Sequence, residues 1–101
     1  MILNEYFERQ RDISCWDQER IERSRCLVVG TGGIGTHVAI GCCRMGVKSV
    51  TLIDNDVVEP SNLNRQLLYS RKDLGQKKAI SALVNLSFHD LVSEIISLDI
   101  D

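Results

Sequence analysis

Apolar residues gather in two short runs, CLVVG at 26–30 and SVTLID at 49–54, the first ending at a glycine and the second at a carboxylate. Runs this short and this uniformly apolar are expected of strands in a parallel sheet covered on both faces. Between them Ile34, Val38, Cys42 and Met45 recur at spacings of three and four, and Gly46 stands where a helix stop belongs, so the intervening segment is predicted to be a helix. A second helical pattern follows in GQKKAISALVNLS, with Ala79, Ile80, Leu83 and Val84 on one face. SEIISLDID then alternates Ile96, Leu98 and Ile100 as a third strand. Right-handed crossovers turn this β-α-β-α-β order into a parallel sheet of strand order 3-2-1, the first half only of a doubly wound α/β fold. Ahead of it, ISCWDQERIERSR predicts a short helix whose Trp16 and Ile21 cap the core, so residues 1–24 read as a helical arm and 25–101 as the half-domain.

Composition narrows the possible functions. At 101 residues, 44% apolar and 26% charged, the chain can build one modest core and not two. A net charge of −2 without a lysine or arginine cluster excludes a nucleic-acid surface. No apolar run approaches the roughly 18 residues of a membrane span, and MILNEYFERQR is too charged for a secretory h-region, which leads us to expect a soluble cytoplasmic protein with no membrane partner. Cys15, Cys26, Cys42 and Cys43 contain no C-x-x-C pair, so reduced, mostly buried thiols are expected and no metal site.

The chemistry begins at 28–46, VVGTGGIGTHVAIGCCRMG. Gly30, Gly32 and Gly35 occupy the positions that a Rossmann-like phosphate turn needs: a tight turn after the strand, close backbone approach to phosphate, and helix–sheet packing. Gly33 adds a further unhindered position, and the helix that follows offers free N–H groups to an anion. Asp54, 19 residues after Gly35, is placed to accept hydrogen bonds from a ribose hydroxyl. These features alone make NAD the default ligand. The next segment argues otherwise, because DNDVVEPSNLNRQLLYSRKDLGQKKA packs Asp54, Asp56, Asn62, Asn64, Arg65, Gln66 and Lys78 into one polar connection. A dinucleotide site has no use for a second acid, an Arg–Gln pair and a lysine, whereas a triphosphate site can use a guanidinium fork and an ammonium against phosphate oxygens and a pyrophosphate leaving group. SRKD at 70–73 reads as a solvated turn, His37 as a helix-surface residue and His89 as a loop residue.

Taken together, GTGGIG, LIDNDVVEPSNLNRQ and DLGQKKA, in that order, with ERQ near the N-terminus, resemble the ATP-dependent adenylating enzymes of the ThiF/HesA/MoeB type, which include the activating enzymes of ubiquitin-like proteins. The resemblance covers nearly the whole chain. It implies that 25–101 is the N-terminal half of an ATP-binding adenylation domain, truncated here. It also implies that Gly30, Gly32, Gly33 and Gly35 face the nucleotide, Asp54 holds the ribose, Asp56 is the second acid of the motif, and Asn62, Arg65, Gln66 and Lys78 line the phosphates. Arg9 matches an arginine that such enzymes extend across a dimer interface to the partner's ATP. The implied reaction joins the C-terminal glycine carboxylate of a ubiquitin-like or sulfur-carrier protein to AMP, in a homo- or heterodimer. The family's magnesium ligand for ATP and its reactive cysteine fall downstream of these residues, and none of the four cysteines matches the latter. Two alternatives stay open: an NAD-dependent oxidoreductase half-domain, and a non-catalytic pseudo-subunit of an activating-enzyme heterodimer. Half a sheet also leaves its first strand uncovered along one edge, which predicts a self-associating or partner-seeking chain.

Overall fold

The computed structural model describes residues 5–100; residues 1–4 of the expected arm and residue 101 lie outside the described residues. In chain order the elements are α1 (Glu8–Arg11), α2 (Gln18–Glu22), β1 (Arg25–Val29), α3 (Gly33–Met45), β2 (Ser49–Ile53), α4 (Lys78–Leu86) and β3 (Glu94–Leu98), with short 3-10 turns at Pro60–Asn62 and Arg71–Asp73. The strands are parallel and hydrogen-bonded in the order β1-β2-β3, which is the predicted 3-2-1 read from the other edge. Val28 stands opposite Leu52, and Leu52 opposite Ser97. Among the described residues β1 has no strand on its other side, as expected of a half-sheet.

The core lies between the sheet and one helical layer. Val28, Val50 and Leu52 pack with Ala39, Cys42 and Cys43 of α3 and Ala82 and Leu86 of α4, while Cys26 and Ile95 close its edges. Alanine and cysteine on the inner helix faces let both backbones come close to the sheet, where Val50 and Leu52 are fully buried. Several expectations need correcting. The strands are covered on one face only: Leu27 and Val29 are 61% and 75% exposed, in register with Thr51 and Ile53 and with Ile96 and Leu98. Two successive right-handed crossovers put both helices on the same side, so three strands carry one layer. The strand-three alternation is consequently inverted, with Ile95 inward, Ile96 and Leu98 outward, and Ile100 beyond the strand.

The second correction concerns helix faces. Both helices form, but Ile34, Val38 and Met45 of α3 and Ile80, Leu83 and Val84 of α4 are exposed. The buried positions are Thr36, Ala39, Cys42 and Cys43 in α3, and Lys78, Ala79, Ser81, Ala82, Asn85 and Leu86 in α4. The larger apolar residues keep helical spacing, yet packing distance selects the small ones for the interior. Likewise SRKD is not simply a solvated turn, because Asp73 is buried and accepts hydrogen bonds from Ser70 N at 2.9 Å and Asn85 Nδ2 at 3.0 Å.

The arm docks at the far end of α3. Gly46 ends that helix at φ +93°, and a Cβ there would lie 2.6 Å from Phe7 Cζ, so glycine both permits the left-handed cap and leaves room for the Phe7 ring. Gln10 and Gln18 donate to the Met45 carbonyl at 2.9 and 3.0 Å, satisfying one of the helix's terminal acceptors. Phe7, 1% exposed, is the aromatic that the arm buries, and Ile21 packs against the core as expected. Trp16 is half-buried, outside the core, with its indole N–H on Gln18 Oε1 at 2.9 Å. No helix among the described residues is long and apolar enough to cross a membrane.

Candidate functional site

The carboxyl ends of the strands converge on one carboxylate. Gly30 N donates to Ile53 O at 2.8 Å and Asp54 N to Leu98 O at 3.1 Å, extending the ladder one step past each strand and bringing the glycine turn beside Asp54. Gly30 turns the chain at φ +89°, a conformation costly for any residue with a Cβ. Asp54 Oδ2 then accepts the Thr31 N–H at 2.7 Å and the Thr31 hydroxyl at 2.8 Å, and Oδ1 accepts the Asp56 N–H at 2.8 Å. Burial pushes the Asp54 carboxyl up, but these bonds and the Lys78 ammonium outweigh it and hold the group below the usual carboxylate range. It is an anion at neutral pH with acceptor capacity left on Oδ1.

Gly35 is required by close approach: a Cβ there would stand 1.9 Å from the Gly30 carbonyl oxygen, so the first turn of α3 sits directly on the strand-to-helix turn. That contact aims the N–H groups of the helix start, which have no acceptor within the helix, at the space above the strand ends. Gly32 and Gly33 border two side chains of the long connection. A Cβ on Gly32 would be 3.8 Å from Gln66 Nε2, and one on Gly33 would be 3.5 Å from the stem of Arg65.

The connection between β2 and α4 folds back on itself. Val58 N donates to Gln76 O at 2.8 Å, Gly75 N to Val58 O at 3.0 Å, and Lys78 N to Asp56 O at 2.9 Å, with Val57 and Lys77 forming an antiparallel bridge. This closure carries Lys78, distant in sequence, to Asp54. Lys78 is 6% exposed, and no carboxylate among the described residues lies within ion-pair distance of its ammonium. Gln66 is 4% exposed, and its Oε1 is buried without a hydrogen-bond partner. Unpaired buried polar groups cost free energy unless something else satisfies them. Arg65 is exposed, its Nη1 donating to Ser61 O and Asn64 Oδ1 at 3.0 Å each, with its stem laid along Gly33.

Other sequence-predicted residues contribute through geometry. Asn62 Oδ1 accepts the Glu59 N–H at 2.8 Å in a reciprocal cap of the Pro60–Asn62 turn, so its amide oxygen shapes the connection. Asp56 reaches Asp54 through its backbone N–H and Lys78 through its carbonyl, while its side chain is exposed. Arg9 lies on α1, at the opposite end of α3 from the glycine turn. Thirteen helical residues separate the two, about 20 Å at 1.5 Å per residue.

Two residues escaped the sequence reading. Thr31 is fully buried, and Tyr69, 5% exposed, directs its hydroxyl at Thr31 O (2.9 Å) and Thr31 Oγ1 (2.7 Å). Thr31 fills a free position of the glycine motif and Tyr69 sits in an apolar-looking LLY, so the one available signal was a hydroxyl residue next to the glycine turn. The cysteines stay outside the site. Burial pushes the Cys42 and Cys43 thiols up to about 11, so both are protonated and poor nucleophiles at neutral pH. Among the described residues no three His, Cys, Asp or Glu side chains come together as a metal site.

Comparison with known proteins extends this picture. Residues 7–97 match the ThiF family. The sulfur carrier protein adenylyltransferase of Thermus thermophilus is 45% identical over 65 residues, covering 64% of this chain and 24% of that protein. Among solved structures, PaaA superposes with a TM-score of 0.84 at 30% identity, covering 95% of this chain and 33% of PaaA. E. coli MccB, solved with ATP, gives 0.79 at 30% identity over 83% of this chain and 25% of MccB. The chain spans one quarter or less of the length of the curated relatives it matches.

Proposed function

The chain belongs to the ThiF family, and from that premise we propose that it is the nucleotide-binding part of an ATP-dependent adenylating enzyme acting on the C-terminal carboxylate of a ubiquitin-like or sulfur-carrier protein. Lys78 carries the reading. Its stem is buried, and among the described residues no carboxylate stands within ion-pair distance of its ammonium, which leaves that charge free to meet a ligand's anion beside Asp54. The phosphates of ATP supply the missing anion, and the unpartnered Gln66 Oε1 marks a second polar group awaiting a ligand nearby.

In this reading residues 25–101 are the N-terminal half of the adenylation domain and residues 1–24 its arm. Asp54 Oδ1 accepts from the ribose. The turn through Gly30, Gly32, Gly33 and Gly35 and the start of α3 receive phosphate oxygens. Arg65 and Lys78 neutralise the outer phosphates and the pyrophosphate as it leaves, and Asn62 and Asp56 hold the connection that presents them. A substrate carboxylate oxygen bonds to the α-phosphorus as the bond from that phosphorus to the bridging oxygen breaks, giving the acyl-adenylate and pyrophosphate. Magnesium would accompany ATP and offset phosphate charge, with its protein ligand downstream of these residues. Arg9, about 20 Å along α3 from its own glycine turn, serves the site of a partner subunit in a homo- or heterodimer.

Calorimetry with ATP, AMP and NAD on the chain and on Asp54→Ala and Arg65→Ala tests this. We expect weak binding without adenylation, ATP preferred over AMP by roughly tenfold, and that preference lost in Arg65→Ala. NAD binding more tightly than ATP, with Arg65→Ala silent, would overturn the proposal in favour of an oxidoreductase half-domain.

A further inference from the structure

The hydrogen bonds around Thr31 have only one self-consistent direction. The Thr31 hydroxyl has a single proton, and Asp54 Oδ2, 2.8 Å away and ionised, can only accept it. The lone pairs of Thr31 Oγ1 are then left to receive the Tyr69 O–H, whose single proton is shared between Oγ1 at 2.7 Å and the Thr31 carbonyl oxygen at 2.9 Å, so that both acceptors tie Tyr69 to Thr31. Burial pushes the Tyr69 phenol up to about 12, so this donor keeps its proton throughout the range in which the protein is handled. Tyr69 itself is fixed by the connection: its N–H donates to Gln66 O at 3.1 Å, three residues after the Gln66 side chain borders the glycine turn. One buried chain of donors therefore runs from the segment bearing Arg65 and Gln66, through the glycine turn, to the carboxylate at the end of β2. With both Thr31 bonds on Oδ2 and the Asp56 N–H on Oδ1, the Asp54 carboxylate has one orientation, and the acceptor capacity it keeps is on Oδ1.

We propose that Tyr69 is a positioning residue for ribose recognition, holding Thr31 so that the Asp54 carboxylate presents Oδ1 to a ribose hydroxyl. The inference rests on the nucleotide-binding reading above and adds to it a residue that orients the Asp54 carboxylate for its sugar contact. Tyr69 does not touch the nucleotide. Its effect passes through two hydrogen bonds, and it falls on the sugar contact rather than on the phosphates.

The test uses Tyr69→Phe, Thr31→Val and Thr31→Ser, each titrated calorimetrically with ATP, 2′-deoxy-ATP and 3′-deoxy-ATP, with melting curves as a folding control. The unsubstituted chain is expected to prefer ATP over at least one deoxy analogue by about tenfold, the contribution of one hydroxyl bonded to a carboxylate. Tyr69→Phe and Thr31→Val weaken ATP by about fivefold and that analogue much less, so the preference shrinks to a few-fold. Thr31→Ser, which keeps the hydroxyl, retains the preference, and the double variant Thr31→Val/Tyr69→Phe loses little more than either single one. A purely structural role would weaken all three nucleotides equally and would overturn the inference while leaving nucleotide binding intact. A ligand-free readout separates the two readings: the carboxyl-carbon NMR titration of Asp54 shifts upward in Tyr69→Phe and Thr31→Val. If that shift is absent, the relay is wrong whatever binds. If it is present but the chain binds no nucleotide, the functional reading fails and the proposal fails with it.

Discussion

Replacing Gly35 by alanine adds a single methyl group, yet it strikes the part of the fold with least room. The new Cβ would stand 1.9 Å from the Gly30 carbonyl oxygen, 3.0 Å from its carbon and 3.5 Å from Val28 Cγ1. An ordinary carbon–oxygen contact needs about 3.3 Å, so α3 and the turn must separate by more than about 1 Å, against backbone atoms that cannot rotate away. Overpacking of this kind costs about 1–3 kcal/mol, and a clash with backbone sits at the upper end. For a domain of this size that is a fall in Tm of about 10–20 °C. The same separation moves the helix N–H groups off any bound phosphate, so ATP affinity falls with stability. Gly41→Ala is the internal control. It lies within α3 with nothing inside 4 Å of its Cβ, and it should gain about 0.5–1 kcal/mol from reduced unfolded-state freedom, a Tm rise of about 4 °C. Differential scanning calorimetry of the two variants decides the matter. A Gly35→Ala chain that melts within 2 or 3 °C of the parent, with ATP binding unchanged, would refute the close-packed turn.

Further expectations follow from the ionisable groups. Because the Asp54 carboxyl is held below the usual range in the fold, its stabilising contribution is complete above about pH 4 and is lost as pH falls through the folded value. Asp54→Asn should therefore flatten the acid limb of the Tm–pH curve, and an unchanged limb would show that the Thr31 and Asp56 bonds do not form. Thiol chemistry sorts the cysteines: iodoacetamide at pH 8 should label exposed Cys15 readily, while Cys42 and Cys43, buried with thiols at about 11, should react only at the rate of unfolding, as peptide mass spectrometry would read.

The periodicity of the chain was enough to define the elements and their order, because strands closed by a glycine and a carboxylate, with helical spacing between, admit few arrangements once crossovers are right-handed. The candidate site was legible for a related reason. Glycines and charges in a fixed order report backbone demands and ionic chemistry, both of which are local, and Gly30, Gly35 and Asp54 meet in the fold where the motif puts them. Faces and partners were not legible. Helical spacing marked Ile34, Val38, Ile80 and Val84, yet those side chains are exposed, because the distance between helix and sheet selects Ala39, Cys43 and Ala82 instead. Phe7 could be assigned no role until Gly46 offered it a seat, 39 residues on. Thr31, Asp54 and Tyr69 form one network only because the glycine turn and the β2–α4 connection close over each other, bringing together groups 23 and 38 residues apart. Spacing determines which face of its own element a residue occupies, but what that residue touches is decided by how close two elements can pack and where a long loop returns, and those depend on the whole chain at once.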